Sequence, residues 1–178
     1  MRDAQLQQDS NGVHVDLLRV LYILEGSQGT DVQNLHVLSL NNIQNEGDGF
    51  GLIATAQCHL AVHPCGYISA LQATMFVLAT HHTLAPLLLH HIQTALANMT
   101  QLADELQQQA VQLAQSSMLD ATTNQKLLTL QTLSDALLNG RDLNGDGTID
   151  PVVGEAATAQ LYAYLQQLGS IALRVPAP

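Results

Sequence analysis

The sequence predicts an all-α protein with about five helices packed as an antiparallel bundle. Hydrophobic residues make up 47% of the 178 positions, yet only 3% are aromatic and Trp does not occur. The core must therefore consist of Leu, Ala, Val and Ile side chains, which suit packed helices better than a β-sandwich. In addition, apolar residues recur every seven positions between residues 86 and 116, as in a helix that faces a bundle. Composition and periodicity thus favour the same fold class.

We expect a single domain, residues 1–178. The predicted helices are 13–25, 67–82, 86–116, 121–139 and 152–173. In the first, Leu17 and Leu24 follow helical spacing, and Gly26 provides the stop. Pro86 can open the third helix because the N–H that Pro lacks has no partner in a first turn. Gly140 ends the fourth helix in the same way as Gly26 ends the first.

The third helix has the clearest pattern. Its apolar seam consists of Ile92, Ala95, Met99, Leu102, Leu106 and Leu113. The other positions hold mainly Gln, Asn, Thr and Ala rather than Glu and Lys. The seam therefore predicts the face that this helix turns towards the core.

Residues 27–66 contain five glycines and no clear helical pattern. A loop of this length without structure of its own is unusual in a compact domain. We therefore expect a long ordered loop that is held in place by contacts elsewhere.

The charge balance excludes some partners. Charged residues make up only 11% of the chain, against roughly 25% in ordinary soluble domains. The net charge is −10 with five Lys plus Arg, which argues against nucleic acid and anionic membranes as partners. No apolar run approaches the ~18 residues of a membrane span, so none is expected.

The stretch RDLNGDGTIDPVVGE, residues 141–155, has the chemistry of a calcium loop. Calcium takes six to eight oxygen ligands, and a tight turn with alternating carboxylate and carboxamide side chains can supply them. The predicted ligands are Asp142, Asn144, Asp146, Thr148 through its carbonyl, Asp150 and Glu155. Gly147 allows the sharp turn in the middle of the loop.

The exit of this loop departs from the usual pattern. The twelfth position, where a bidentate Glu is expected, is Val153. Glu155, at the fourteenth position, is the candidate closing ligand, because Pro151 and Gly154 could bend the chain back towards the loop. The alternative is a polar turn without a metal.

The string DLNGDGTID resembles the calcium loops of EF-hands and dockerin modules, with an altered exit. The chain as a whole resembles an uncharacterised group of bacterial helical proteins that carry GDG…DP..GE before the last helix. That group also has an earlier N..GDGFG loop, which residues 45–51 match in part. The resemblance implies one or two calcium loops between helices, but it implies no activity. A second calcium ion would use Asn45 and Asp48.

Both cysteines lie in the stretch QCHLAVHPCG, residues 57–66. In an oxidising compartment Cys58 and Cys65 could form a disulfide. Together with His59 and His63 they could instead bind zinc, although the spacing fits no common zinc pattern, or they could remain free thiols.

Two histidine pairs flank the turn into the third helix: His81 and His82, and His90 and His91. Pairs facing each other across a bundle can hold a metal ion or haem. Polar residues that simply line helix ends are the alternative. A small metal or haem/redox carrier that uses these pairs and the Cys–His loop is the second functional hypothesis.

We expect no enzymatic activity, because no nucleophile motif or phosphate-binding glycine loop occurs. The uncharged surface, with 20 Gln and 21 Ser plus Thr, favours a calcium-stabilised structural protein that self-assembles into a homo-oligomer or filament. Glycans on Ser or Thr would supply the missing hydration, and Asn98 is a formal acceptor within a helix. A soluble calcium-binding module is an alternative.

The calcium loop and the close Cys pair favour an extracellular or cell-surface location. The first twelve residues, MRDAQLQQDSNG, have no hydrophobic signal core, so a cytoplasmic location is the alternative.

Overall fold

The computed structural model describes residues 10–36, 50–53, 66–81, 86–116 and 121–172. Six helices lie within these ranges: α1 Ser10–Glu25, α2 Thr30–His36, α3 Tyr67–His81, α4 Pro86–Ala114, α5 Ala121–Asn139 and α6 Thr158–Ala172. The same ranges contain no strand, only an isolated antiparallel bridge between Gly26 and Phe50. The all-α prediction is confirmed. None of the described helices is long and apolar enough to cross a membrane.

The apolar seam of α4 is buried as its spacing predicts. All six seam side chains are 4% exposed or less. Burying such a stripe removes apolar surface from water, and each Å² buried contributes about 25 cal/mol to the free energy of folding. This contribution stabilises the long helix in its packed position.

The chain divides into two compact units. Unit 1 comprises residues 1–70 and 103–134, and unit 2 comprises residues 71–102 and 135–178. The largest fully buried side chains of unit 1 are Leu17, Leu18, Leu21, Leu24 and Leu130, and those of unit 2 are Ile92 and Leu96. Each unit thus combines segments that are far apart in sequence, where we expected one domain.

The prediction of a long loop from 27 to 66 is wrong for residues 30–36, which form α2. This helix is too short to show a periodic pattern, and its first turn is held from outside. The Glu25 carboxylate accepts the N–H of Asp31, and Gln33 donates its N–H to the carbonyl of Gly29. Val32 and Leu35 are buried. A contact from α1 therefore supplies the cap that the local sequence lacks.

Another part of the predicted loop is held against helix ends, as expected. Leu52 and Ile53 donate their N–H groups to carbonyls at the end of α1, and the Tyr67 N–H at the start of α3 binds the carbonyl of Gly51. A Cβ atom on Gly51 would meet the backbone of Glu25. Glycine is therefore required at this close approach of two backbones.

The prediction that the last helix begins at 152 is wrong, because α6 begins at Thr158. Residues 151–155 form bends and turns instead, with Gly154 at φ +90° in the left-handed region. Left-handed geometry cannot continue a right-handed helix. The delay places Glu155 before α6 rather than within it.

Candidate calcium site

The candidate loop starts where α5 stops. Gly140 has φ +83°, and its N–H donates to the carbonyl of Ala136 at 2.8 Å. The next N–H, of Arg141, donates to the carbonyl of Glu155 at 3.0 Å. The two ends of the loop are therefore joined by a backbone hydrogen bond.

The carboxylate of Asp142 organises the first half of the loop. Its Oδ1 accepts the N–H groups of Gly145 at 2.7 Å and Asp146 at 3.2 Å. Its Oδ2 accepts the N–H of Gly147 at 2.8 Å. Gly145 and Gly147 have φ values of +75° and +86°, which allow the chain to wrap around this one side chain. The first predicted ligand thus lies at the centre of the turn.

A chain of hydrogen bonds links the next predicted ligands. Asn144 donates its Nδ2–H to Asp146 Oδ2 at 3.0 Å, and its Oδ1 accepts the Asp146 N–H at 2.9 Å. The backbone N–H and the hydroxyl of Thr148 both donate to Asp146 Oδ1, at 2.8 and 2.7 Å. The hydroxyl of Thr148 also lies 3.5 Å from Asp150 Oδ1.

The electrostatics of Asp146 follow from these bonds. The hydroxyl hydrogen bond from Thr148 is the main factor that lowers the pKa of Asp146 below its ordinary value, and the Thr148 N–H and Asn144 act in the same direction. Asp146 therefore stays a carboxylate down to lower pH than an ordinary Asp.

Glu155 returns to the loop, whereas the residue at the usual closing position does not. Glu155 is only 2% exposed, and its Oε2 accepts the N–H of Asp150 at 2.9 Å. Val153 is 81% exposed. Of Val153 and Glu155, the side chain of Glu155 is therefore the one directed at the loop.

Hydrogen bonds between α5 and α6 fix the frame around the loop. Thr158 donates its hydroxyl to the carbonyl of Leu137 at 2.6 Å. Gln160 accepts the N–H of Ala157 through Oε1 and donates through Nε2 to the carbonyl of Asn139, both at 3.0 Å. These bonds satisfy carbonyls at the end of α5 that would otherwise lack partners.

Asn98 of α4 holds the exit of this loop, whereas its sequence motif indicates only a formal glycan acceptor. It is 4% exposed. Its Nδ2 donates to the carbonyls of Val152 and Ala156 at 2.9 Å each, and its Oδ1 accepts the N–H of Gly154 at 2.8 Å. A signal was present in the sequence, because Asn98 is a polar residue next to the apolar seam. With its amide buried and bonded, Asn98 is not accessible to a glycosylating enzyme in the folded chain.

The loop supplies the oxygens that a hard cation needs. Asp142, Asp146, Asp150 and Glu155 provide carboxylates, and Asn144 provides a carboxamide, all within fourteen residues. Within the described ranges, no three His, Cys, Asp or Glu side chains lie together as a ready metal group. The loop oxygens bind the loop's own N–H groups instead.

One of the two predicted histidine pairs, His90 and His91, lies within the described residues. His90 and His91 are neighbours on α4 with ring centroids 6.5 Å apart. The ring of His91 lies 5.5 Å from that of Tyr164 on α6. His81 is the last residue of α3.

Several predicted site residues lie outside the described residues. These are Asn45 and Asp48 of the second calcium loop, Cys58 and Cys65, and His59, His63 and His82. Their predictions stay predictions.

An acidic pair in unit 1, the buried Glu25 and the half-buried Asp31, was not predicted from sequence. Glu25 is 5% exposed, and Gln107 donates its Nε2–H groups to Glu25 Oε1 at 2.5 Å and to Asp31 Oδ2 at 3.0 Å. Desolvation, and then the hydrogen bond with Asp31, raise the pKa of Glu25 above its ordinary value. No local motif marks this pair, because the three side chains come from three helices.

No protein-family model, no curated protein and no solved structure matches this chain.

Proposed function

We propose that residues 142–155 bind one calcium ion and that the protein is a non-enzymatic, calcium-stabilised helical structural protein. The observation that carries this proposal is the hydrogen bond between Glu155 Oε2 and the Asp150 N–H. It directs a buried carboxylate at a loop that already contains the exposed Asp142 and Asp146 and the half-buried Asp150, although the usual closing position is Val153.

The ligand types favour calcium over other metals. All side chains of the set are oxygen donors, and calcium accepts such donors in a flexible shell of six to eight. Zinc prefers Cys and His, which the loop lacks. Magnesium requires near-octahedral geometry and usually keeps several waters. A loop that is rich in carboxylates and closed by a remote Glu suits the larger ion.

Calcium would act by relieving charge repulsion within the loop. Three aspartates and Glu155 lie close together in sequence, and no cation among the described residues forms an ion pair with them. An ion would replace the N–H groups as the partner of these oxygens and hold Asp146 and Asp150 near Glu155. Because the loop joins α5 to α6, its closure stabilises both helices.

A fixed role is better supported than a sensor role. A sensor converts ion binding into the opening of a helix pair and exposes a Met-rich groove. Here Thr158 and Gln160 already bond α6 to the end of α5, and the chain contains only four Met. We therefore propose that calcium stabilises one arrangement rather than switching between two.

Thermal unfolding tests the calcium proposal. Calcium at a hundred times Kd should stabilise the folded state by about 2.7 kcal/mol. For a chain of this size that corresponds to an increase of about 5–11 °C in Tm. The experiment compares chelator-treated protein with the same protein after calcium is restored, and magnesium serves as the control. An unchanged Tm would refute the proposal.

We further propose that the protein self-associates outside the cell, as a homo-oligomer or filament, with Ser- and Thr-linked glycans as a further source of hydration. Low charge removes the repulsion that keeps copies apart. Large apolar side chains also face solvent, among them Phe76 at 69%, Leu143 at 63% and Val153 at 81% exposed. Single exposed apolar residues are ordinary, but Leu143 lies beside Gly154 and so extends the apolar surface at Val153.

Light scattering after size exclusion, with calcium present, tests self-association. An oligomer or a filament supports the proposal. A monodisperse monomer at high concentration would favour a soluble calcium-binding module.

Elemental analysis and an absorption spectrum of the same material test the alternative of a metal or haem carrier. This alternative predicts a bound transition metal or an absorption band in the visible range.

A further inference from the structure

Asn98 combines two properties that need an explanation. It lies on α4 beside the apolar seam residue Met99, and only 4% of it is exposed. A buried carboxamide costs free energy unless its donors and its acceptor are paired. Here both ends are paired, and the three partner groups belong to the segment 152–156.

The three hydrogen bonds bracket Glu155. The Val152 carbonyl and the Gly154 N–H precede Glu155, and the Ala156 carbonyl follows it. Glu155 itself donates its N–H to the Val152 carbonyl at 3.2 Å and accepts the Arg141 N–H at 3.0 Å. The backbone of Glu155 is therefore fixed on both sides, and only side-chain rotations remain.

We propose that Asn98 is the positioning residue of the calcium site, and that it places the closing carboxylate of Glu155. This inference rests on the proposed function. In a loop of the usual length the closing Glu is the twelfth and last residue, and the exiting helix continues directly from it. Here α6 begins only at Thr158, so helical geometry does not hold Glu155. The amide of Asn98 takes over that role from a neighbouring helix.

The left-handed conformation at Gly154 also helps to place Glu155. Its φ of +90° turns the N–H towards Asn98 Oδ1 and brings the chain back after Val153. A Cβ at Gly154 would also come within 2.8 Å of Leu143 Cδ1. The chain thus accommodates two residues beyond the usual closing position through the left-handed Gly154 and the hydrogen bonds of Asn98.

The test measures calcium affinity by titration calorimetry in the full chain at low temperature. Asn98→Ala removes all three bonds, and Asn98→Leu removes them while filling the site with an apolar side chain that suits the seam. Neither change alters the charge near the ion. Partners outside the ligand shell typically contribute 10–100-fold to metal affinity, so we expect Kd to rise by at least about tenfold. Leu130→Val, a buried change in unit 1, is the control for general destabilisation and should leave Kd unchanged.

A double-variant cycle separates positioning from general stability. If Asn98 acts through Glu155, Asn98→Ala should cause little further loss of affinity once Glu155→Gln is present. Fully additive losses would overturn the inference. So would wild-type affinity in both folded Asn98 variants, or an equal loss in Leu130→Val.

A measurement on the unaltered protein covers the case in which both Asn98 variants fail to fold. Calcium should slow hydrogen exchange at the Gly154 N–H, which Asn98 holds, by about tenfold or more. Unchanged exchange in a calcium-loaded protein would refute the role of Asn98. Failure of the wild type to bind calcium at all would refute the proposed function first, and the calorimetric titration of the wild type distinguishes the two.

Discussion

Glu155 and Asp150 are joined by a hydrogen bond of 2.9 Å from the Asp150 N–H to the Glu155 Oε2. Five positions separate the two residues, and the turn between them includes the exposed Val153 and the left-handed Gly154. Because this hydrogen bond already orients the carboxylate of Glu155, little side-chain freedom would be lost on binding the proposed calcium ion.

Glu155→Gln should weaken calcium binding, and Val153→Ala should not. The amide of Gln is neutral and offers one oxygen, so it cannot act as a bidentate anionic ligand. We expect the Kd of Glu155→Gln to rise by at least about tenfold, and that of Val153→Ala to stay within about twofold. Calorimetric titration of both variants provides the measurement. Equal affinities would show that Glu155 is not the closing ligand.

Gly147→Ala and Gly169→Ala should change the free energy of unfolding in opposite directions. Gly147 has φ +86° with nothing within 4 Å, so an alanine there meets no clash but is strained, at a cost of about 1–2 kcal/mol. Gly169 lies inside α6, also with open space, and alanine there should stabilise the protein by about 0.5–1 kcal/mol. Urea unfolding without calcium measures both. A neutral or stabilising Gly147→Ala would contradict the left-handed turn.

Glu25→Gln should flatten the pH dependence of the free energy of unfolding. Burial, with the hydrogen bond to Asp31, raises the pKa of Glu25 above 4.5. Below pH 4.5 both the folded and unfolded states are protonated, and the stability contribution is fully present. As the pH rises through the raised folded pKa, the folded protein must carry a buried carboxylate beside Asp31, and that contribution is lost.

The measurement for Glu25 is urea unfolding at several pH values from 4 to 8. Among the described residues, Asp31 is the charged group that acts on Glu25, and Gln107 is a neutral donor. Asp104→Asn, an exposed change on α4, is the control and should leave the pH dependence as it is. A Glu25→Gln variant that keeps the full pH dependence of the wild type would contradict the prediction.

Calcium should lower the pKa of Tyr164. Burial raises the pKa of this phenol above 10.0, and the negative charge of Asp150 adds to the effect. An ion bound by Asp150 offsets that charge, so the phenol should ionise at lower pH when calcium is present. Absorbance of the ionised phenol, followed at alkaline pH, gives the titration of the tyrosines. The difference between the wild type and Tyr164→Phe isolates the contribution of Tyr164.

The matched control for Tyr164 is Asp150→Asn. It should lower the pKa of Tyr164 without calcium and remove most of the response to calcium. If calcium binds but the pKa of Tyr164 does not change, then Asp150 is not a ligand.

Features encoded by neighbouring residues could be predicted from the sequence. The seam of α4 repeats every seven residues, and its burial follows from helical geometry alone. Gly26 and Gly140 adopt the left-handed conformation that the stop signals predict. The spacing of Asp142, Asn144 and Asp146 predicted a tight turn around oxygen atoms, since each of these side chains bonds the backbone within five positions.

Features that depend on residues outside the element itself could not be predicted in this way. The sequence of α2 contains no cap for its first turn, and Glu25 of α1 provides it. The start of α6 at Thr158 depends on turns that are held by Asn98, 54 to 58 positions away. The sequence by itself determined which oxygens the loop offers, because these lie side by side in the chain. Only the tertiary structure decided how the loop closes, because Asn98 of α4 holds the non-helical segment 152–156, and no local pattern encodes the approach of α4 to this segment.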